Sequence, residues 1–339
     1  MTHKIGHGGT HFTSWAQNLR SVSAGATVPS IAYSSNTKRL AIAIGERVLI
    51  LDAKTLAKEY EAPHGAPVRG VTFAGSDVAV ATVGDDGFVR VFQFWSAAAT
   101  TLLEAAGEDG TAARSVAYCS SGPLLAVGYA NGTAKIFSCV KDGGCIATLR
   151  GHDVGMRVLG VEFSRDGKLM ASACEDGTAR VWSTSDGDSQ PIAVLKPFKS
   201  AAGGPCTKVR FGSVRTSGMV VVATASGSAH VFHLPAAPGE EPVLAHTLKG
   251  HAGGINDLAI GENGEVLATA SQDKSIRLWT LRDGQHARAL PGGGDVLALS
   301  FSTSGSANLA CATAKGTIKI FGIVPRGAEA GLLVTGGTF

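Results

Sequence analysis

The chain has 339 residues, of which 44% are hydrophobic, and a formal net charge of +3 at pH 7. This length allows one large all-β domain or two ordinary domains, and the charge balance gives no indication of a nucleic-acid or membrane protein. The 45 glycines and the few aromatic residues indicate tight turns rather than long helices. No stretch reaches the roughly 18 apolar residues of a membrane span, and no secretory apolar region begins the chain.

The cysteines and the first 45 residues bear on the cellular compartment. None of the six cysteines has zinc-type spacing, and we expect buried thiols in a reducing compartment, most simply the cytoplasm. Cys139 and Cys145 could face each other across a hairpin. Residues 1–45 contain four Lys or Arg and no acid, which leaves mitochondrial import open.

A repeated unit is the main feature of the sequence. "GHDVGMRVLGVEFSRDGKLMASACEDGTARVW" begins at Gly151, and "GHAGGINDLAIGENGEVLATASQDKSIRLW" begins at Gly250. Each has a Gly-His pair, an alternating apolar run, a turn, a second strand, an Asp-bearing turn and a third strand ending in Trp. Residues 68–92 follow the same plan. Self-similarity with a period of about 40–45 residues is typical of propeller blades.

Two sets of positions recur seven times. The residue that ends the third strand recurs in steps of 41 to 50 residues, and an apolar residue precedes it each time by 18 to 21 residues. The first set is Leu51, Phe92, Phe137, Trp182, Phe232, Trp279 and Phe321; the second is Tyr33, Phe73, Tyr118, Phe163, Phe211, Ile260 and Phe301.

These repeats predict a single all-β domain over 1–339, a seven-bladed β-propeller of four-stranded antiparallel blades. Asp-Gly and Asn-Gly turns separate the strands, and residues 145–149, 191–195 and 243–248 are expected as outer strands. Residues 2–6 are predicted to complete the last blade, with residues 331–336 as a competing segment. The predicted blades are 28–62, 68–105, 113–150, 158–197, 206–249, 255–290 and 296–339.

The Gly-His, Asp and Trp positions resemble those of the WD40 repeat family over about residues 28 to 323. The Trp-Asp dipeptide itself is absent, since Ser183 follows Trp182 and Thr280 follows Trp279. In that family a His, a Ser or Thr, an Asp and a Trp form a buried hydrogen-bonded chain within one blade.

The resemblance implies structural tetrads at matching positions of this chain. The Asp would accept from backbone N–H groups and from the His, the His would donate onward to the hydroxyl, and the Trp would use its N–H. A hydrolase uses the same residue types, but the recurrence of the set favours scaffolding. The expected sets are His152, Ser172, Asp176 and Trp182; His251, Thr269, Asp273 and Trp279; and His64, Thr82 and Asp86, with Phe92 in the Trp position.

Little else in the sequence indicates catalysis, because no phosphate loop, dinucleotide, zinc-protease or serine-hydrolase motif is present. We therefore expect no catalytic residue, metal, cofactor or small-molecule substrate. The resemblance implies a non-enzymatic interaction scaffold that binds other proteins as part of a larger complex, without inserting into a membrane.

Two surface features are candidate contacts for partners. The first is a basic fifth blade, which could alternatively read a peptide tail, an RNA or another acidic ligand, although nucleic acid is not favoured. The second comprises aromatic residues expected on loops and in the N-terminal arm. The basic residues are Lys196, Lys199, Lys208, Arg210 and Arg215, and the aromatic residues are Phe94, Trp95 and Trp15.

Overall fold

The structure, a computed structural model, describes most of the chain between its termini. Its described residues contain no helix long and apolar enough to cross a membrane. All six cysteines are free, and Cys119, Cys174, Cys206 and Cys311 are buried. The described residues are 15–74, 77, 79–94, 100–106, 110–140, 144–185, 190–198, 204–212, 218–235, 240–303 and 307–323.

Seven four-stranded antiparallel sheets, the blades, make up the fold. The first described strand, β1 (Trp15–Ser23), belongs to the last blade, so blade one begins with β2. Blade one contains β2 (Ile31–Tyr33), β3 (Arg39–Ile44), β4 (Arg47–Asp52) and β5 (Lys58–Pro63). Blade two contains β6 (Val68–Ala74), β7 (Ala79–Gly84), β8 (Phe88–Gln93) and β9 (Thr100–Ala106). Blade three contains β10 (Ala113–Tyr118), β11 (Leu124–Tyr129), β12 (Thr133–Ser138) and β13 (Cys145–Arg150).

The remaining blades repeat this order. Blade four contains β14 (Val158–Phe163), β15 (Leu169–Cys174), β16 (Ala179–Ser183) and β17 (Ala193–Leu195). Blade five contains β18 (Cys206–Phe211), β19 (Met219–Thr224), β20 (Ser228–His233) and β21 (Val243–Lys249). Blade six contains β22 (Ile255–Ile260), β23 (Val266–Ser271), β24 (Ser275–Thr280) and β25 (His286–Pro291), and blade seven contains β26 (Val296–Phe301), β27 (Ala307–Thr313) and β28 (Thr317–Ile323).

The ring closes through a strand from the N-terminal part of the chain. β1 pairs antiparallel with β28 and supplies the fourth strand of blade seven, from Trp15 opposite Ile323 to Ser23 opposite Thr317. This corrects the expectation that residues 2–6 take this place; they lie outside the described residues, as do residues 331–336.

The first strands of the blades surround a central channel of about 740 Å³. Each first strand contacts the first strand of the next blade, and β26 contacts β2 to complete the circle. Short side chains fasten these neighbours to one another. Ser115 Oγ donates to the carbonyl of Val158 at 3.2 Å, and the backbone N–H of Tyr33 donates to Ser300 Oγ at 2.9 Å.

The hydrophobic core lies between the blades. Every residue of β7 and of β23 is buried, because the second strand of a blade is covered on both faces by its neighbours. Alanine and valine are common in these strands, and small side chains let adjacent sheets pack closely. In one of these layers, Met170 of blade four packs with Ile136 of blade three.

Candidate functional site

The His, Ser, Asp and Trp of blade four form one connected chain of hydrogen bonds. His152 Nδ1 lies 2.7 Å from Asp176 Oδ2, and its Nε2 lies 2.7 Å from Ser172 Oγ. The indole N–H of Trp182 donates to the same hydroxyl at 2.9 Å. Ser172 is 0% exposed and His152 is 6% exposed, so the hydroxyl is closed to solvent.

The local turn holds Asp176 in place. Asp176 Oδ1 accepts from the backbone N–H of Thr178 at 2.8 Å and from its hydroxyl at 2.7 Å. Gly177 has a φ of 81°, a conformation that glycine adopts without a Cβ penalty. Burial opposes ionisation, but the hydrogen bonds from His152 and Thr178 outweigh it and hold the pKa of Asp176 well below its usual range.

Blade six contains the second complete set. His251 Nδ1 lies 2.8 Å from Asp273 Oδ2, its Nε2 lies 2.7 Å from Thr269 Oγ1, and Trp279 donates to that hydroxyl at 3.0 Å. Burial lowers the pKa of His251, against the opposing effect of Asp273. The imidazole is therefore neutral at pH 7, with one donor nitrogen and one acceptor nitrogen.

This protonation state reverses one expected hydrogen bond. With Nδ1–H donating to Asp273, Nε2 of His251 has to accept from the hydroxyl of Thr269, whereas the sequence expectation had the His donating to the hydroxyl. Every donor then points towards the aspartate: indole to hydroxyl, hydroxyl to imidazole and imidazole to carboxylate. The carboxylate is thus the acceptor at the end of the chain.

Blade two has a partial set with the imidazole turned over. His64 Nδ1 lies 2.8 Å from Thr82 Oγ1, and its Nε2 lies 3.2 Å from Asp86 Oδ1. Arg90 Nη1 donates to Asp86 Oδ2 at 2.6 Å. Phe92 occupies the indole position, and the arginine supplies additional donors to the carboxylate.

Among its described residues, blade five has no hydrogen-bonded set of the kind seen in blades four and six. Strand register places Phe198 at the position of His152 and Val222 at that of Ser172, so apolar side chains replace the histidine and the hydroxyl, and Ser226 takes the aspartate position. The ring of His230 packs edge-on against Phe198 with their centroids 5.1 Å apart. Burial lowers the pKa of His230 to about 4.

One tetrad also has the residue types of a metal site. Single ligand atoms of His152, Cys174 and Asp176 lie within 4.8 Å of one another. Both imidazole nitrogens are already in hydrogen bonds, and burial raises the pKa of the Cys174 thiol to about 12. A metal ion would have to displace the hydrogen-bonded chain and deprotonate a buried thiol, so these residues fit the structural arrangement better.

An ion-pair network that the sequence reasoning missed lies on the channel wall. Lys208 Nζ is 3.4 Å from Asp257 Oδ1, and Arg210 is 3.5 Å from Glu162 and 3.8 Å from Asp257. Desolvation in the channel raises the pKa of Glu162, against the opposing effect of Arg210. The pairing joins blades four, five and six, and only the observation that all four residues lie on first strands could have indicated it.

The structure separates the candidate partner-binding residues. Lys208 and Arg210 point into the channel and are paired with acids, whereas Lys196 is exposed. Phe94 is 4% exposed and packs against Tyr60 and Phe73, so its ring is unavailable to a partner. The backbone of Trp15 begins β1, but its side chain lies outside the described part, as do Trp95, Lys199 and Arg215 entirely.

Other apolar side chains are exposed instead. The upper face is defined here as the one with the loops that lead from the fourth strand of one blade to the first strand of the next. Val154, in the loop between β13 and β14 on this face, is 95% exposed, and Met156 in the same loop is partly exposed. On the outer edge, Ile146 of β13 and Ile192 just before β17 are also exposed.

The seven four-stranded blades define a β-propeller, and the hydrogen-bonded sets of blades four and six resemble those of WD40 repeats. Residues 143–183 and 242–280 match the family described as "WD domain, G-beta repeat". Each segment contains the fourth strand of one blade and the first three strands of the next, with its complete hydrogen-bonded set, and ends just after Trp182 or Trp279.

Curated relatives resemble parts of the chain. Periodic tryptophan protein 2 of Saccharomyces cerevisiae is 37% identical over 112 residues, which is 33% of this chain and 12% of the relative. Small ribosomal subunit protein RACK1 of Medicago sativa is 35% identical over 78 residues, 23% of each chain. Polycomb protein EED of Chaetomium thermophilum is 30% identical over 105 residues, 30% of this chain and 18% of the relative. The matched segments thus span less than a quarter of each of these relatives.

Proposed function

We propose that the protein is a non-enzymatic interaction scaffold and a subunit of a multiprotein assembly in the cytoplasm. The observation behind this proposal is that the His, the Ser or Thr, and the Asp side chains of blades four and six are hydrogen-bonded to one another inside their blades. Each set is a closed chain of hydrogen bonds inside a blade. We assign these tetrads to holding the loops of a rigid ring, which leaves the surfaces of the ring for binding.

The relatives support this reading. One of them is, by its name, a protein of the small ribosomal subunit. A ring offers an upper face, a lower face and an outer edge, so several proteins can bind to one rigid body at once. Because a fold alone does not fix a function, the proposal rests on these surfaces being occupied in the cell.

The test is the native size of the untagged protein in gentle extracts of its own cells, with mass spectrometry of the proteins that comigrate. We expect elution well above the mass of the monomer, with a reproducible set of partners. Elution of the bulk of the protein as a free monomer would overturn the proposal.

Two matched variants then locate the contact. Val154→Glu places a charge on the upper face, and Ile192→Glu places the same charge on the outer edge, at two apolar side chains that are already exposed. Neither change enters the core, so both variants should keep the thermal stability of the parent. If the protein is such a scaffold, we expect one of the two variants to lose partners and the other to retain them. If both variants retain every partner, neither of these two surfaces is the contact.

A further inference from the structure

The loop between blades six and seven departs from the tetrad pattern in a specific way. In blade three, Arg150 pairs with Thr133, and His152 follows two residues later. In blade six, Pro291 pairs with Ser275 at the same register. Gly293 therefore takes the position of His152, and Gly294 that of Asp153. In blade four, Asp176 lies in the turn between the paired residues Ala173 and Ala179. The corresponding pair in blade seven is Ala312 and Ile318, on either side of the turn between β27 and β28. The aspartate position of blade seven is therefore occupied by Lys315.

In blades four and six this place holds a carboxylate with several donors. Asp176 Oδ2 accepts from His152 and also from the backbone N–H of Asp153 at 3.3 Å. Asp273 Oδ2 accepts from His251 and from the backbone N–H of Ala252 at 3.1 Å. A turn amide that immediately follows the histidine position thus donates to the internal carboxylate in both blades.

Blade seven keeps the turn amides and lacks the carboxylate. Within the described residues, the backbone N–H groups of Gly293 and Gly294 donate to no acceptor. Gly293 has no side chain to fill the place of the imidazole, and its φ of 87° matches the left-handed region that glycine tolerates. The N–H of Gly294 remains as a donor, while the carboxylate that accepts from its counterparts Asp153 and Ala252 is missing.

Two lysines add positive charge at the same place. Lys319 Nζ lies 2.8 Å from where a Cβ of Gly293 would be, and the stem of Lys315 lies 3.7 Å from the same point on Gly294. Lys319 donates to the carbonyl of Pro291 at 3.3 Å, which leaves two of its three N–H donors. Neither lysine forms an ion pair with a carboxylate of the described residues, Asp295 in the same loop included.

We propose that this loop, Gly292 to Asp295 with Lys315 and Lys319, binds a carboxylate supplied by a partner protein, from an Asp or Glu side chain. The external carboxylate would take over the role that Asp176 and Asp273 have inside blades four and six. It would accept from the free amides and from the two ammonium groups, and a charge-assisted hydrogen bond is about twice as strong as a neutral one. The inference rests on the proposed scaffold function and names the partner chemistry of one of its surfaces.

The experiment is a titration of the isotope-labelled full chain with a capped tetraglutamate peptide, followed through the amide resonances of Gly293 and Gly294. We expect shifts that saturate and that are confined to this loop and its neighbours, with binding weakened at least fivefold in 0.5 M salt, because exposed charges are screened. Lys319→Ala should weaken binding at least fivefold. The matched control Lys168→Ala, an exposed lysine in a loop of blade four on the opposite face, should leave it unchanged.

A second variant tests the missing-acceptor argument without removing a donor. Lys315→Asp restores the residue type of the other blades, so the Gly294 amide should shift downfield in the absence of peptide and respond no further when peptide is added. Shifts that are scattered over the surface, or binding unaffected by Lys319→Ala, would overturn the inference. Saturable binding of inorganic phosphate together with no response to the peptide would overturn it as well.

The result is separable from that of the proposed function. A protein that comigrates with partners in cell extracts but shows no peptide response in this loop contradicts the carboxylate site alone. A protein that elutes as a monomer contradicts the scaffold, whatever the titration shows.

Discussion

Asp257 of blade six accepts a hydrogen bond from the backbone N–H of Leu299 in blade seven, with the two atoms 2.8 Å apart. The same carboxylate lies 3.4 Å from the ammonium group of Lys208 in blade five. One buried side chain on the channel wall therefore connects three successive blades. Glu162 does the same on a smaller scale, since it accepts from the N–H of Phe211 in blade five at 3.1 Å.

Asp257→Ala should lower the free energy of unfolding by about 3–5 kcal/mol, the usual cost of removing one partner from a buried ion pair. The loss has two causes: the N–H of Leu299 becomes an unsatisfied donor, and Lys208 and Arg210 lose their shared counter-charge. Urea denaturation of the parent and the variant measures the difference. Glu262→Ala, at an exposed carboxylate two residues beyond the end of the same strand, is the control, with an expected change within about 0.5 kcal/mol. Equal effects of the two changes would contradict the role given to Asp257.

Asp176→Ala should destabilise the protein by about 3 kcal/mol, because His152 and the amide of Thr178 are left buried without their acceptor. Trp182→Phe is the graded comparison: it removes the indole N–H while keeping an aromatic ring, as blades two and three do with Phe92 and Phe137. We expect about 1–2 kcal/mol for it. Thermal or urea unfolding measures both. Full stability of Asp176→Ala would mean that the tetrad has no structural role.

Stability should fall in acid because of the two tetrad aspartates. Asp176 and Asp273 have pKa values below that of an unfolded aspartate, about 4. The unfolded chain then binds more protons than the folded protein in acid, so the contribution of these groups is complete above about pH 5 and is lost as the pH falls. Urea midpoints measured between pH 6 and pH 3 should decline. The decline should be shallower in the double variant Asp176→Asn with Asp273→Asn, and parallel curves for the two proteins would contradict the assignment.

Phe94→Ala should cost about 3–5 kcal/mol in stability, since the ring is buried between blades one and two against Tyr60 and Phe73. Binding of partners should persist wherever the variant is folded. Val154→Ala, at a side chain that is almost wholly exposed, should leave the unfolding temperature unchanged. A Phe94→Ala variant with normal stability and lost partners would restore Phe94 as an interface residue.

Much of the fold could be predicted because the repeat constrains it. The position held by Trp182 and Trp279 recurs seven times at intervals of 41 to 50 residues, and all seven residues lie in third strands. Residues 145–149, 191–195 and 243–248 were expected as outer strands, and β13, β17 and β21 occupy those places. The alternation of apolar side chains within a blade involves residues that are close together in the sequence, so the sequence alone predicts the strands of each blade.

Contacts between blades were harder to foresee. The pairing of Lys208 with Asp257 joins residues about one repeat apart, and charge counting along the chain made blade five look more basic than its surface is. Phe94 is expected on a loop because it directly follows β8, whereas its ring is buried against Tyr60 and Phe73 of the neighbouring strands. A loop motif near residues 2–6 predicted the closing strand there, whereas Trp15–Ser23 pairs with β28, a contact between two ends of the chain that no local pattern specifies.

The pairing of β1 with β28 has a consequence for how the protein is made. The ribosome releases β1 before every other strand of the ring, but its partner strand β28 emerges only after the six intervening blades have been translated. Until then β1 has no sheet to join, and the contact that closes the ring is among the most distant in sequence. Distant contacts are formed late and slowly, since the entropy of closing a long loop is lost before the contact forms. Once formed, the same pairing holds the ring closed, because the ring cannot open at blade seven unless β1 and β28 separate along their whole paired length.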